Sequence, residues 1–223
     1  MRVLVYVEGP SDRDALPKLL RDVYAEARSA RVAIKLLAEG DKARVLRAGP
    51  RKAALHLREN PRDWVFVLPD LYPMSAYAGT DNAHASFEEL DALLRHRFAV
   101  EADQVGLPTA VRHHFRAHCL KHDLEALLLA APDVLKKRLG TDDKIEKGWQ
   151  QPVEDQNDDK PPKYVVTELF KKYKQKGRYT DTIDAPWILE RAQLDVVMAA
   201  CPQRFAPFVR ELRVLASGGE LGA

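Results

Sequence analysis

The run RVLVYVE at residues 2–8 constrains this chain most. It is β-branched and aromatic with almost no polar interruption, so a strand formed here must be covered on both faces. Strands of that kind belong to parallel sheets with helices packed above and below, and the fold class is therefore α/β. After the Gly9-Pro10 turn a helix is predicted to about Ala27, capped by Ser11 or Asp12, with Ala15, Leu16, Leu19, Leu20 and Val23 at helical spacing. VAIKLL at 32–37 reads as a second strand, and Lys42 to Arg58 as a basic amphipathic helix. DWVFVLPDLYP at 63–73 repeats the opening pattern of an apolar strand, an acid at its end and a proline-bearing loop. SFEELDALLRHRF at 86–98 is a helix with Ser86 and Glu89 in capping-box spacing. AVRHHFRAH, at about 110–118, alternates and reads as a fourth strand exposed on one face, and an apolar helix follows from about Asp123.

Residues 140–163 are polar and proline-containing, the composition of a long loop. Three helical segments follow: YVVTELFKKYKQKG, DAPWILERAQLDVVMAACP and QRFAPFVRELRVLA. The expected organisation is an α/β core at 1–139, the loop at 140–163 and a helical extension at 164–218 packed on the core, all within one domain. Lys and Arg (35) nearly balance Asp and Glu (33), so local patches rather than net charge decide whether nucleic acid is a partner. Cys119 and Cys201 lack CxxC spacing, and there is no signal peptide or membrane-length apolar run. The expected setting is the cytoplasm, with reduced thiols and no membrane partner.

In an open parallel sheet, functional groups collect where the strands end and the loops diverge. Glu8 and Asp70 both sit at such ends, and Asp12 follows closely enough to face the same edge. Carboxylates gathered on one rim repel each other unless a cation lies between them, and oxygen-only ligands suit Mg²⁺, or Mn²⁺. Such an ion acts on phosphates. The alternative is that these acids are solvated turn and cap residues. That suits Asp12 better than Glu8, since a glutamate ending a buried strand gains no cap.

VEGPSD resembles the first motif of Toprim domains, the metal-dependent fold of topoisomerases, primases and OLD-type nucleases, and VFVLPD resembles the strand carrying their second acidic motif. HCLKHDLEALLL, KPPKYV and AACPQRFAPFVREL are similar to a bacterial family of small Toprim-like proteins related to the OLD nucleases. The resemblance implies a Toprim-like, Rossmann-like, mainly parallel sheet and metal-dependent cleavage of DNA or RNA. It gives Glu8 the role of metal ligand or general base, and makes Asp12, Asp70 and Glu125 metal ligands. Lys163 is then the phosphate contact. The third position of the DxD motif is Tyr72, which removes one ligand. Relatives of the OLD type work with ABC/SMC-type ATPases in phage defence. The chain has no GxxxxGK[ST] motif, so such an ATPase would be a separate partner. The alternative implied by Tyr72 is a non-catalytic docking or regulatory subunit with a degenerate metal site.

His113, His114, His118 and His122 with Cys119 invite a zinc reading, but their spacing offers no tetrahedral ligand set. His118 and His122 are instead expected to support Glu125 from a second layer. Two basic runs are candidates for nucleic-acid contact. One holds Lys42, Arg44 and Arg47, and the other Lys171, Lys172, Lys174 and Lys176 around Tyr173. Trp149, in the long loop, is either a partner anchor or folded back on the body.

Overall fold

The computed structural model describes residues 1–156, 160–174 and 177–222. Four strands form one sheet: β1 (Arg2–Val7), β2 (Ala33–Ala38), β3 (Trp64–Leu68) and β4 (Phe115–Ala117). They are all parallel, in the order β2-β1-β3-β4, as the double-sided burial of the first strand requires. Register pairs Val5 with Leu36 on one side and with Phe66 on the other.

The pleat divides the core in two. Val3, Val5, Val7, Trp64 and Phe66 face one layer, and Leu4, Tyr6, Val65 and Val67 face the other. The second layer is built by α3 (Lys42–Glu59) and α4 (Phe87–Gln104). The first is larger and takes in α1 (Pro10–Leu19) and α2 (Arg21–Ser29) with helices from the second half of the chain. A four-residue turn, α5 (Thr109–Arg112), precedes β4, and α6 (Glu125–Leu129) and α7 (Pro132–Leu139) follow it. Then come α8 (Pro162–Tyr173), α9 (Asp181–Leu189), α10 (Leu194–Ala200) and α11 (Phe205–Ala216). Helix α9 packs along α1, α11 along α2 and α8 along α6, so the C-terminal helices complete the layer that the first two begin.

Several boundaries differ from the sequence reading. The first helix is two, α1 and α2, meeting at Leu20, with Pro17 accommodated inside the first of them. The cap is Gly9, not Ser11 or Asp12. Asp12 instead reaches back from the first turn to accept the Gly9 N–H at 2.9 Å. The expected strand at 110–118 is helical at 109–112 and pairs only at Phe115–Ala117, leaving His113 and His114 to pack on Trp64. Pro132 starts α7 and divides the apolar helix, and residues 190–193 separate α9 from α10. Trp149 is half-buried and folds back onto the core. Cys119 and Cys201 are buried free thiols. Among the described residues no helix is long and apolar enough to cross a membrane.

Gly49 marks the closest approach of α3 to the sheet. A Cβ there would lie 3.1 Å from Val67 Cγ2 and 3.2 Å from Cγ1. An exposed helical glycine gains about 1 kcal/mol on replacement by alanine. Here the stiff, fully buried Val67 cannot yield, so Gly49→Ala is expected to destabilise by about 1 kcal/mol or more in urea titration.

Candidate functional site

Beyond the strands, the backbone continues to pair. Asp70 bridges Leu120, Leu71 N donates to Leu120 O at 2.7 Å, and Tyr72 N to Lys121 O at 3.2 Å. This carries the segment after β4 alongside the segment after β3 and delivers His122, Asp123 and Glu125 to the same edge as Asp70. On the other side Gly40 N donates to Glu8 O at 2.7 Å, fixing the start of α3 next to the end of β1. The result is a cleft of about 970 Å³ at the carboxyl edge of the sheet. Among the described residues its lining includes Glu8, Asp12, Asp41, Asp70, Asp123, Glu125 and Asp181, against the two lysines Lys42 and Lys163.

Glu8 crosses from the end of β1 to accept the Asp70 N–H at 2.9 Å, so the two strand-end acids are linked by a backbone bond. Burial pushes the Glu8 carboxyl from 4.5 up to about 7, against the opposing pull of that N–H and of Lys42. Asp12 rises to about 6 and Asp123 to about 8, in each case through burial first and then the Glu125 carboxylate. Asp70 is raised well above the usual carboxylate range by burial and by the Glu8 charge. Glu125, at the start of α6, is 2% exposed. Lys163 Nζ stands 3.9 Å from Glu125 Oε1 and 3.8 Å from Asp181 Oδ2. Burial works against its charge, but these acids outweigh it and raise its pKa.

Lys42 is not part of an exposed basic face. It is buried in the cleft wall, donates to Leu71 O at 2.7 Å and lies 4.9 Å over the Tyr77 ring, while Arg44 and Arg47 on the same helix are exposed. Burial lowers its pKa, and Glu8 and Asp70 oppose that shift. Lys171 pairs with Glu168 and Lys172 bonds to the Tyr173 hydroxyl; Lys174 ends α8, and Lys176 lies outside the described residues. The two expected helper histidines separate. His122 lines the cleft and stacks on Tyr72 at 4.7 Å. His118 faces away, onto Phe66, Phe208 and Glu211 Oε2 at 3.1 Å, because its side chain leaves the strand on the α11 side. Tyr72, where a third acid would stand, therefore supplies a stacking face beside the acids. The sequence reading missed Asp123 and Asp181 as members of the site, and took Lys42 for a surface cation.

The donor set suits a hard divalent ion: it is entirely oxygen, burial first and neighbouring charge second hold back the ionisation of Glu8, Asp12, Asp70 and Asp123, and Asp123 Oδ1 is buried without a hydrogen-bond partner among the described residues. As placed, the acids line the cleft without closing on a point. Among the described residues no three His, Cys, Asp or Glu side chains are grouped tightly enough to hold an ion.

The raised carboxyls make metal-free stability depend on pH with a definite sign. Glu8, Asp12 and Asp123 keep their protons in the folded chain at pH values where the unfolded chain, titrating near 4, has lost them. Their contribution is fully present below about pH 4 and is lost as the pH climbs to about 8. Thermal melts in chelator are expected to show a Tm several degrees lower at pH 8 than at pH 5, with Mg²⁺ reversing much of the loss.

Comparison with known proteins adds the following. The C-terminal region of the OLD protein of Xanthomonas campestris pv. campestris aligns at 13% identity over 96% of each chain, with a TM-score of 0.43. The C-terminal region of the Burkholderia pseudomallei OLD protein aligns at 11% identity over 95% of this chain and 98% of that one, with a TM-score of 0.44. No curated protein matches. The family described as "Domain of unknown function (DUF4276)" matches residues 7–213, nearly the whole chain, and the protein belongs to that family.

Proposed function

We propose that the cleft is a divalent-metal-dependent phosphodiesterase site of Toprim type that acts on nucleic acid. One observation carries the reading: five carboxyl side chains from three separate chain segments, Glu8, Asp12, Asp70, Asp123 and Glu125, crowd the carboxyl edge of a parallel sheet beside Lys163. A fold gains nothing by burying like charges together. The cost is removed when a cation occupies the rim.

Helices α1, α3, α8 and α9 all begin at the cleft, through Ser11, Lys42, Lys163 and Asp181, so the positive ends of four helix dipoles favour an anion there. Asp12, Asp70, Asp123 and Glu125 are the side chains that would hold the ion, and a bound Mg²⁺ or Mn²⁺ supplies Lewis-acid polarisation of phosphate oxygens. Glu8, poised near neutrality and oriented by the Asp70 N–H, can take a proton from an attacking water. Lys163 is exposed enough to turn from Glu125 toward a phosphate as negative charge develops. Lys42 stays buried and holds the loop after β3 through Leu71 O.

Titration calorimetry with Mg²⁺ and Mn²⁺, with cleavage of supercoiled DNA, single-stranded DNA and RNA followed in the same samples, tests this reading. Cleavage that depends on the ion and stops in chelator is expected. A second reading, a docking subunit that does no chemistry, draws on the Tyr72–His122 stack where a third acid would stand. Metal binding without cleavage of any of these substrates would favour it.

A further inference from the structure

Tyr164 has no structural occupation. Of the seven tyrosines it alone is exposed, at 50%; the other six are buried or half-buried. Tyr72 stacks on His122, Tyr77 lies under Lys42, Tyr173 bonds to Asp143, Tyr179 packs on Phe170, Tyr6 is buried and Tyr24 packs on the core. Among the described residues the Tyr164 ring makes no aromatic, cation–π or hydrogen-bond contact. It nevertheless stands on the rim of the acid cleft, in the first turn of α8, next in sequence to Lys163. A large aromatic held on a rigid helix and left open to solvent beside crowded acids is a surface prepared for a planar partner.

On the phosphodiesterase reading above, on which this inference rests, the planar groups that arrive with a phosphate backbone are nucleobases. We propose that the cleft takes an unpaired strand and that Tyr164 stacks one of its bases, fixing the backbone beside Lys163 and the acids. Base stacking on an aromatic ring is tolerant of sequence, because every base has a π-face. A duplex has its base faces already stacked inside it, and can offer one to an isolated tyrosine only by opening, at a cost of a few kcal/mol. The preference is therefore for single strands, frayed ends or loops, and it comes from Tyr164 and not from the acids, which would treat any phosphodiester alike.

The test measures binding apart from cleavage. The chain is mixed with fluorescein-labelled oligo(dT), oligo(rU) and a loop-free, GC-clamped blunt duplex of equal length, with Ca²⁺ in place of Mg²⁺, and anisotropy is followed. Single strands are expected to bind about tenfold more tightly than the duplex. Tyr164→Ala is expected to weaken single-strand binding about tenfold and to leave the duplex unchanged, and Tyr164→Phe to restore it, since the ring and not the hydroxyl is at work. Matching circular dichroism of the three proteins removes misfolding as an explanation. Equal affinity for duplex and single strand, no loss in Tyr164→Ala, or a Tyr164→Phe protein as weak as Tyr164→Ala would overturn the inference while leaving the phosphodiesterase reading intact. Failure of the wild type to bind any of the three probes would overturn both.

Discussion

Glu8→Gln is expected to lower metal-dependent cleavage by a factor on the order of 10² to 10⁴ while leaving the fold in place. The two effects separate because of how Glu8 is held. Its Oε1 accepts the Asp70 N–H at 2.9 Å, and a glutamine carbonyl oxygen can accept the same bond. What disappears is the negative charge and the basicity, on which the ion and the attacking water depend. Removal of that charge also relieves the Asp70 carboxyl, which Glu8 helps to hold above its usual range. The metal-free variant should therefore melt no lower than the wild type at pH 8, and should lose part of the fall in stability between pH 5 and pH 8. Loss of cleavage with unchanged melting places Glu8 in the chemistry. Loss of both would make it a structural residue, and full activity would remove it from the site.

The largest effect on stability is expected at Glu154, in the long segment between α7 and α8. Its carboxylate is 2% exposed and accepts the N–H groups of Gln203 at 2.6 Å, Arg204 at 2.9 Å and Phe205 at 3.1 Å. These are the donors of the turn that leads into α11 and of its first residue, Phe205, which have no partners within the helix, and the helix dipole adds to the attraction. Glu154→Ala strands three donors, that of Phe205 fully buried, and is expected to cost about 3 to 5 kcal/mol. In a chain of this size that is a fall in Tm of roughly 10 °C, read by calorimetry. Glu154→Gln keeps one accepting oxygen and should cost about half as much. Next to it Asp155 pairs with Lys121 and Gln203, so the same anchor holds the segment after β4 that leads to His122 and Asp123. Some loss of metal affinity should follow the loss of stability.

Strands β1 and β3 were legible in the sequence because a run buried on both faces admits no other reading, and Glu8 and Asp70 stood out against those runs; β2, at the sheet edge, is buried on alternate residues only. The same logic failed for β4. Its residues alternate with histidine and arginine, and 109–112 turn before the strand begins, held by tertiary contacts such as those of Arg112 with Leu107 O and of Trp64 with His113 and His114. Asp123 and Asp181 were hidden because an aspartate near the start of a helix is also an ordinary feature of helix ends, and nothing local shows that both residues open onto one cavity. Lys42 shares its helix with exposed arginines. What separates it from them is tertiary: Leu71 O and the Tyr77 ring arrive from the loop after β3. Tyr164 was unremarked because exposure is a property of the finished surface. The fold was thus readable wherever burial was continuous along the chain. The site was readable only at the strand ends, where topology alone determines position.

The packing of α9 along α1 bears on how the molecule comes into being. Lys18 and Glu190, 172 positions apart, close an ion pair at 3.0 Å across that contact, and Asp181 at the head of α9 borders the cleft that Glu8 and Asp12 open. Six of the seven acids lie within the first 125 residues and are gathered as the strands and the segments beyond them pair, whereas Lys163 and Asp181 reach the rim only when α8 and α9 dock. Closing such distant segments makes for slow assembly, and the last of the crowding falls at the final step. A chain emerging from the ribosome has its first strand and Glu8 long before it has a closed cleft, so the wall that carries Lys163 is the last part of the site to be made.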